Sequence, residues 1–109
     1  MVIIFSSHKA RQHLLTTGQV YTVRTKKRKE EPFKPSKDWL TDRRGGRKIA
    51  DVLVEYWLPI KRESLELLLQ RYVKKSGFLT VNEWIQEIKR LAKGKLPPVL
   101  HLYRVLLVK

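Results

Sequence analysis

The sequence predicts an α+β fold made as one domain. Three observations carry that reading: apolar residues at helical spacing in three segments, runs of β-forming residues in four others, and a length of 109 residues, which accommodates one core but not two. In chain order the elements read β-α-β-loop-β-α-α-β.

Val2 to Phe5 is a short apolar run of β-formers and gives the first strand. Ser6 or Ser7 can then cap a helix from about His8 to Thr16, which Gly18 ends. Ala10, His13, Leu14 and Thr17 share one face of that helix, with Lys9, Arg11 and Gln12 largely off it. Gln19 to Thr25 is β-branched or aromatic and forms the second strand, on which Thr22 and Arg24 point the same way. Lys48 to Ile60 is too apolar to be solvated on both faces and should cross the core, with Pro59 ending the strand. Ser64 to Tyr72 places Leu65, Leu68, Leu69 and Tyr72 at helical spacing. Thr80 and Glu83 form a T-x-x-E capping box that opens a further helix, lined by Trp84, Ile85, Ile88 and Leu91 and closed by Gly94. After Pro97-Pro98, Val99 to Val108 is the final strand.

Between the second and third strands, Lys26 to Lys48 loses all periodicity and reads as a long basic loop. It contains the run Lys26, Lys27, Arg28, Lys29, the prolines Pro32 and Pro35, and a turn bearing Arg43, Arg44, Arg47 and Lys48. Loops of this length in small domains are commonly binding elements. Arg24 through Lys48 holds 11 basic and 4 acidic residues, a net of +7, which is half of the +14 carried by the whole chain. Such an excess implies a polyanionic partner. The Lys and Arg enrichment of thermophilic proteins normally brings Glu with it, whereas here 24 basic residues face 10 acidic ones.

Other classes are excluded or left unsupported. No cysteine is present, which rules out disulfides and thiolate metal sites and fits a cytoplasmic location. Every apolar stretch is interrupted by Glu, Lys or Arg, so no membrane span is expected. His8, His13 and His101 lack partners at a metal-ligand spacing. No nucleophile elbow, phosphate-cradling loop or dinucleotide fingerprint occurs, so neither a metal nor a cofactor is expected.

The basic residues interleave with aromatics. Phe33 and Trp39 fall inside the basic loop, and Tyr21 precedes Thr22 and Arg24. Looped or single-stranded RNA is held in this way, with bases stacked on aromatic or guanidinium planes and the backbone tracking positive charge. Phe33 and Trp39 could equally pin the loop to the sheet.

Three segments stand out: Gly18-Gln-Val-Tyr-Thr-Val-Arg24 after a short helix, Gly77-Phe78 followed by Glu83 at the opening of a late helix, and the closing strand His101-Leu-Tyr-Arg-Val-Leu106. Together they resemble an ASCH domain of the PUA-like superfamily. The resemblance covers nearly the whole chain and implies a small PUA-like β-barrel flanked by about three helices. It also implies an RNA-associated role, with the site in a cleft beside the Gly18 to Arg24 segment. Gly18, Thr22 and Arg24 match the family pattern, but Gln19 or Val20 stands where a Lys is expected and the segment is one residue shorter. Similar small proteins that hydrolyse acetylated cytidine nucleosides use a Lys, a Thr and a Glu. Here Ser76 stands near the place of that Glu, leaving Thr22 without an obvious base to activate its hydroxyl.

The expected function is therefore RNA binding, with Tyr21, Thr22 and Arg24 lining the cleft and Lys26 to Lys29, Trp39, Arg43, Arg44, Arg47 and Lys48 gripping the flanking strand. Arg24 is the central residue, because a guanidinium can bond a phosphate or guanine edge bidentately and also stack. A buried ion pair with Glu55 or Asp51 would be its structural alternative. A small hydrolase using Thr22, and a basic subunit docking on a larger ribonucleoprotein, are the competing functions. Charge alone does not separate RNA from DNA, and the oligomeric state is not legible.

Overall fold

The computed structural model describes residues 2–5, 7–26 and 36–108; the predicted contacts Lys27, Arg28, Lys29 and Phe33 lie outside these residues. The fold is α+β: a curled five-stranded sheet forms a half-barrel, with three helices packed on it. The strands are β1 (Val2–Ile4), β2 (Gln19–Arg24), β3 (Ser36–Thr41), β4 (Ala50–Lys61) and β5 (Val99–Leu107), and the helices are α1 (His8–Thr17), α2 (Leu65–Leu69) and α3 (Val81–Leu91). Strand order is β1-β3-β4-β5-β2. β1 pairs with β3 in parallel and every other pair is antiparallel.

The sheet buries both faces, each against a different helical layer. On the inner face, Ile3, Phe5, Val20, Leu40, Val52, Val54, Tyr103 and Val105 gather around Leu14 of α1, which is fully buried. On the outer face, Tyr21, Val23, Ile60, Leu100 and Leu102 pack beneath Leu65 and Leu69 of α2 and Trp84 and Ile88 of α3. β2 is buried from Val20 through Val23, because its alternate side chains enter the two cores in turn.

The helix ends follow the sequence signals. Gly18 leaves α1 at φ 86° with its N–H on the Leu14 carbonyl (2.8 Å), a left-handed cap that glycine adopts without steric cost. At α3 the Thr80 hydroxyl accepts from the Glu83 N–H (3.1 Å). The Glu83 carboxylate is taken by Lys9 Nζ of α1, so this half of the capping box joins two helices. Gly94, at φ 82°, donates to the Lys89 carbonyl (2.8 Å) and closes the last turn.

Three expectations need correction. The segment read as a continuous loop from Lys26 to Lys48 contains β3, in which Lys37 and Trp39 face outward while Asp38 and Leu40 face inward. The inward carboxylate of Asp38, 3% exposed, breaks the polar-out pattern that would have marked a strand. Pro59 does not end β4. It pairs with His101, and the ladder runs on to Lys61 opposite Val99 after a bulge between Tyr56 and Leu58. The β3–β4 pairing among the described residues runs from Ser36 opposite Val54 to Leu40 opposite Ala50, so Pro59 lies outside it and its missing N–H breaks no bond of that ladder. The helix expected over Ser64 to Tyr72 is one α-helical stretch between 3₁₀ turns at Arg62–Ser64 and Val73–Lys75, tightened by bonds from Arg71 and Tyr72 N–H to the carbonyls three residues back.

Among the described residues no helix is long and apolar enough to cross a membrane.

Candidate nucleic-acid interface

Phe5 follows β1 and is buried. Its N–H donates to the Thr41 carbonyl at the end of β3 (2.9 Å), and its own carbonyl accepts from Arg11 Nη1 of α1 (2.7 Å). The Arg24 guanidinium lies over its ring, 4.9 Å from the centroid, a cation–π geometry. Thr41 Oγ1 then donates to the Arg43 carbonyl (3.0 Å), and the Gly46 N–H donates to that same carbonyl (2.9 Å). These bonds hang the turn bearing Arg43, Arg44, Arg47 and Lys48 from the end of β3 beside Phe5. The curl of the sheet thus brings together three arginine-bearing segments that are remote in sequence.

Arg24 and Thr22 face inward as expected. The inner face is set by register: Thr22 lies opposite Tyr103, Arg24 opposite His101, and Tyr103 opposite Tyr56. Tyr56 Oη and His101 Nδ1 are hydrogen-bonded (2.9 Å), and Tyr56 stands edge-on to Tyr103 with centroids 5.3 Å apart. Burial, and secondarily the neighbouring Tyr103 phenol, push the Tyr56 phenol above its ordinary pKa, so it remains a neutral hydroxyl near pH 7. Polar groups therefore line the inner face beside Arg24.

The two carboxylates considered as ion-pair partners of Arg24 serve other cations. Glu55 accepts from Arg104 Nη2 (2.7 Å), and Asp51 pairs with Lys48 Nζ (2.7 Å). Tyr21, expected beside Thr22, points to the opposite face. It is 5% exposed and packs edge-on against Trp57 (5.7 Å) and against Tyr72 (4.9 Å), so it belongs to the outer core. Burial raises its phenol pKa, with the Arg104 guanidinium opposing. Lys26 is exposed just past β2. Trp39 does not pin a loop: it stands on β3 with its side chain 52% exposed on the outer face, remote in orientation from Arg24.

A cleft runs from this hub toward α3, lined by Phe5, Ala10, Thr22, Arg24, Trp84 and Glu87 among others. Its volume is about 30 Å³, room for about two water molecules and far too small for a nucleobase. Arg24 stands in its wall with Nε and Nη2 shielded from solvent. The Thr22 side chain is 9% exposed, and no side chain among the described residues hydrogen-bonds its hydroxyl. Ser76, near the position where the hydrolase resemblance calls for a Glu, instead ties up its own turn, because its hydroxyl donates to the Val73 carbonyl (2.6 Å) and accepts from the Phe78 N–H (3.1 Å). Hydrolysis gains no support from this geometry. Among the described residues no group of three His, Asp or Glu side chains could hold a metal ion.

Sequence reasoning names Thr22 and Arg24, which do share the inner face, but not Phe5, Arg11, Tyr56 and His101, which the fold gathers around them. Only His101, sharing strand parity with Tyr103, offers a local signal. The other three join the site through long-range pairing that a single sequence does not display. In comparisons with known proteins no family model matches the chain, and neither a curated protein nor a solved structure matches it.

Proposed function

We propose that the chain is an RNA-binding module of the ASCH and PUA-like kind, acting in the cytoplasm, that grips a phosphate or base edge at the seam of its half-barrel. One observation carries the reading: Arg11 and Arg24 both contact Phe5, and the turn bearing Arg43, Arg44 and Arg47 hangs by its backbone from the end of β3 that Phe5 also bonds. Surface cations scattered for solubility would have no reason to be bonded into one place. The net charge of +14 supplies long-range attraction for a polyanion. The guanidinium of Arg24 supplies local geometry: it is half-buried on Phe5 with Nε and Nη2 closed off from solvent, so it would meet a phosphate or a base edge by a single contact at the rim.

The water-sized cleft favours this reading over nucleoside hydrolysis, because small-molecule sites that engulf their ligand measure roughly 300 Å³ or more. A rim contact suits a strand laid across the seam. Arg24→Ala should lower affinity for single-stranded RNA roughly tenfold or more, the scale of a lost charged hydrogen-bond pair, while the melting transition stays in place. Arg24→Lys, which keeps the charge and loses the planar guanidinium seated on Phe5, should fall between. A fluorescence titration of the three proteins checks this, and equal affinities would remove Arg24 from the site.

A further inference from the structure

Trp39 is the feature that the seam site does not use. It is one of three tryptophans; Trp84 is 3% exposed and Trp57 is partly buried against the outer core, whereas Trp39 is 52% exposed in a regular strand. Its ring has a cation over it: Lys48 Nζ lies 5.7 Å from the centroid and is held there by Asp51, the cross-strand neighbour of Trp39. Lys37, exposed, lies two residues before Trp39 on the same face of β3. The face therefore offers an indole plane with a tethered ammonium above it and a second lysine along the strand. The arginines of the β3–β4 turn follow at its end.

We propose that Trp39 is a stacking platform for one unpaired base, with Lys48 and Lys37 on its flanking phosphates, so that the ligand is a single strand in preference to a duplex. This rests on the polyanion reading above and deepens it, because the seam alone does not choose between paired and unpaired strands. A base in a duplex has both faces covered by its neighbours and cannot lie on an indole; an unpaired base can, and every base has a π-face to offer. The charge of the surroundings selects the occupant: an apolar protein partner would have to cover exposed Lys37 and the Lys48–Asp51 pair, whereas a phosphate can take Lys37 directly and compete with Asp51 for Lys48. The strand would pass from Arg24 on the inner face, around the β3–β4 turn, onto Trp39 on the outer face.

The test titrates the full chain with a short uridine-rich RNA single strand and with an RNA duplex, following tryptophan emission and, in parallel, the anisotropy of labelled RNA. Stacking on Trp39 quenches emission with the single strand, and Trp39→Ala removes the quench. That variant should weaken single-strand binding about tenfold, within the range of one base–aromatic stack, with little change for duplex. Trp39→Phe should recover most of the loss. Equal single-strand binding by the wild-type protein and Trp39→Ala overturns the platform while leaving the Arg24 result to stand on its own. Failure of the wild-type protein to bind any nucleic acid overturns both.

Discussion

Phe5 illustrates how one apolar residue can organise charges. Its ring contributes to the inner core, its two backbone groups fix Arg11 and the end of β3, and its π-face seats Arg24. Gly77 matters for the opposite reason, the side chain it lacks. It has φ 90°, and a Cβ there would stand 2.4 Å from the Lys9 carbonyl oxygen and 3.0 Å from the His13 Cβ. Gly77→Ala should cost about 3 kcal/mol, combining left-handed strain with a backbone clash. Gly94→Ala should cost only about 1 kcal/mol, since φ is 82° there but no atom lies within 4 Å of the new Cβ. Denaturant midpoints for the two variants check the difference, and equal losses would show that the approach to Lys9 is not what requires glycine. His13 lies at the same junction, and burial lowers its pKa from 6.5. The folded state thus prefers the neutral ring and the unfolded chain binds the proton more readily. The His13 contribution is complete above pH 6.5 and is lost as pH falls through that value toward the lowered folded one. Unfolding of the wild-type protein and of His13→Gln at about pH 5 and about pH 8 should show a shallower pH dependence in the variant.

At the scale of elements, legibility in the sequence tracks how local the determining forces are. α1 and α3 are readable because their caps and apolar spacing lie within a few residues: Gly18 past one end, Thr80 at the start of the other. β5 is readable from its unbroken apolar character. β3 is not, because Lys37 and Asp38 dilute its pattern and its stability comes from β1 and β4 on either side. The continuation of β4 past Pro59 rests on its pairing with β5, Pro59 opposite His101 and Lys61 opposite Val99, a fact about a neighbour and not about the proline. The site divides in the same way. Thr22 and Arg24 follow from strand alternation, but placing Tyr21 beside them treats sequence neighbours as neighbours in space, when successive strand residues point to opposite faces. Trp39 is legible as an aromatic among cations. Its position on a strand, which leaves the ring open, is not.

For the whole molecule, charge sets range and geometry sets selectivity, and salt separates the two. If about five phosphates are engaged, the logarithm of single-strand affinity should fall against the logarithm of salt concentration with a slope of about −3.5. Replacing Arg43 and Arg44 together by Ala should make that slope shallower by about 1.4, whereas Trp39→Ala should leave it unchanged because an indole releases no counterion. Affinity titrations across a salt series decide this. A steep slope with identical affinity for single strand, duplex RNA and DNA would instead mark a basic subunit whose charge serves general docking.

The strand order has a temporal implication. Among the described residues β2 forms one border of the sheet and pairs with β5, some eighty residues further along the chain. Thr22 and Arg24 therefore lie in a segment whose described strand partner emerges some eighty residues later, and closing so long a loop is a late event in folding. The seam is thus assembled last. A chain ended before β5 would carry the same cations on a β2 that lacks this strand partner, so the proposed seam would exist only once β5 is in place.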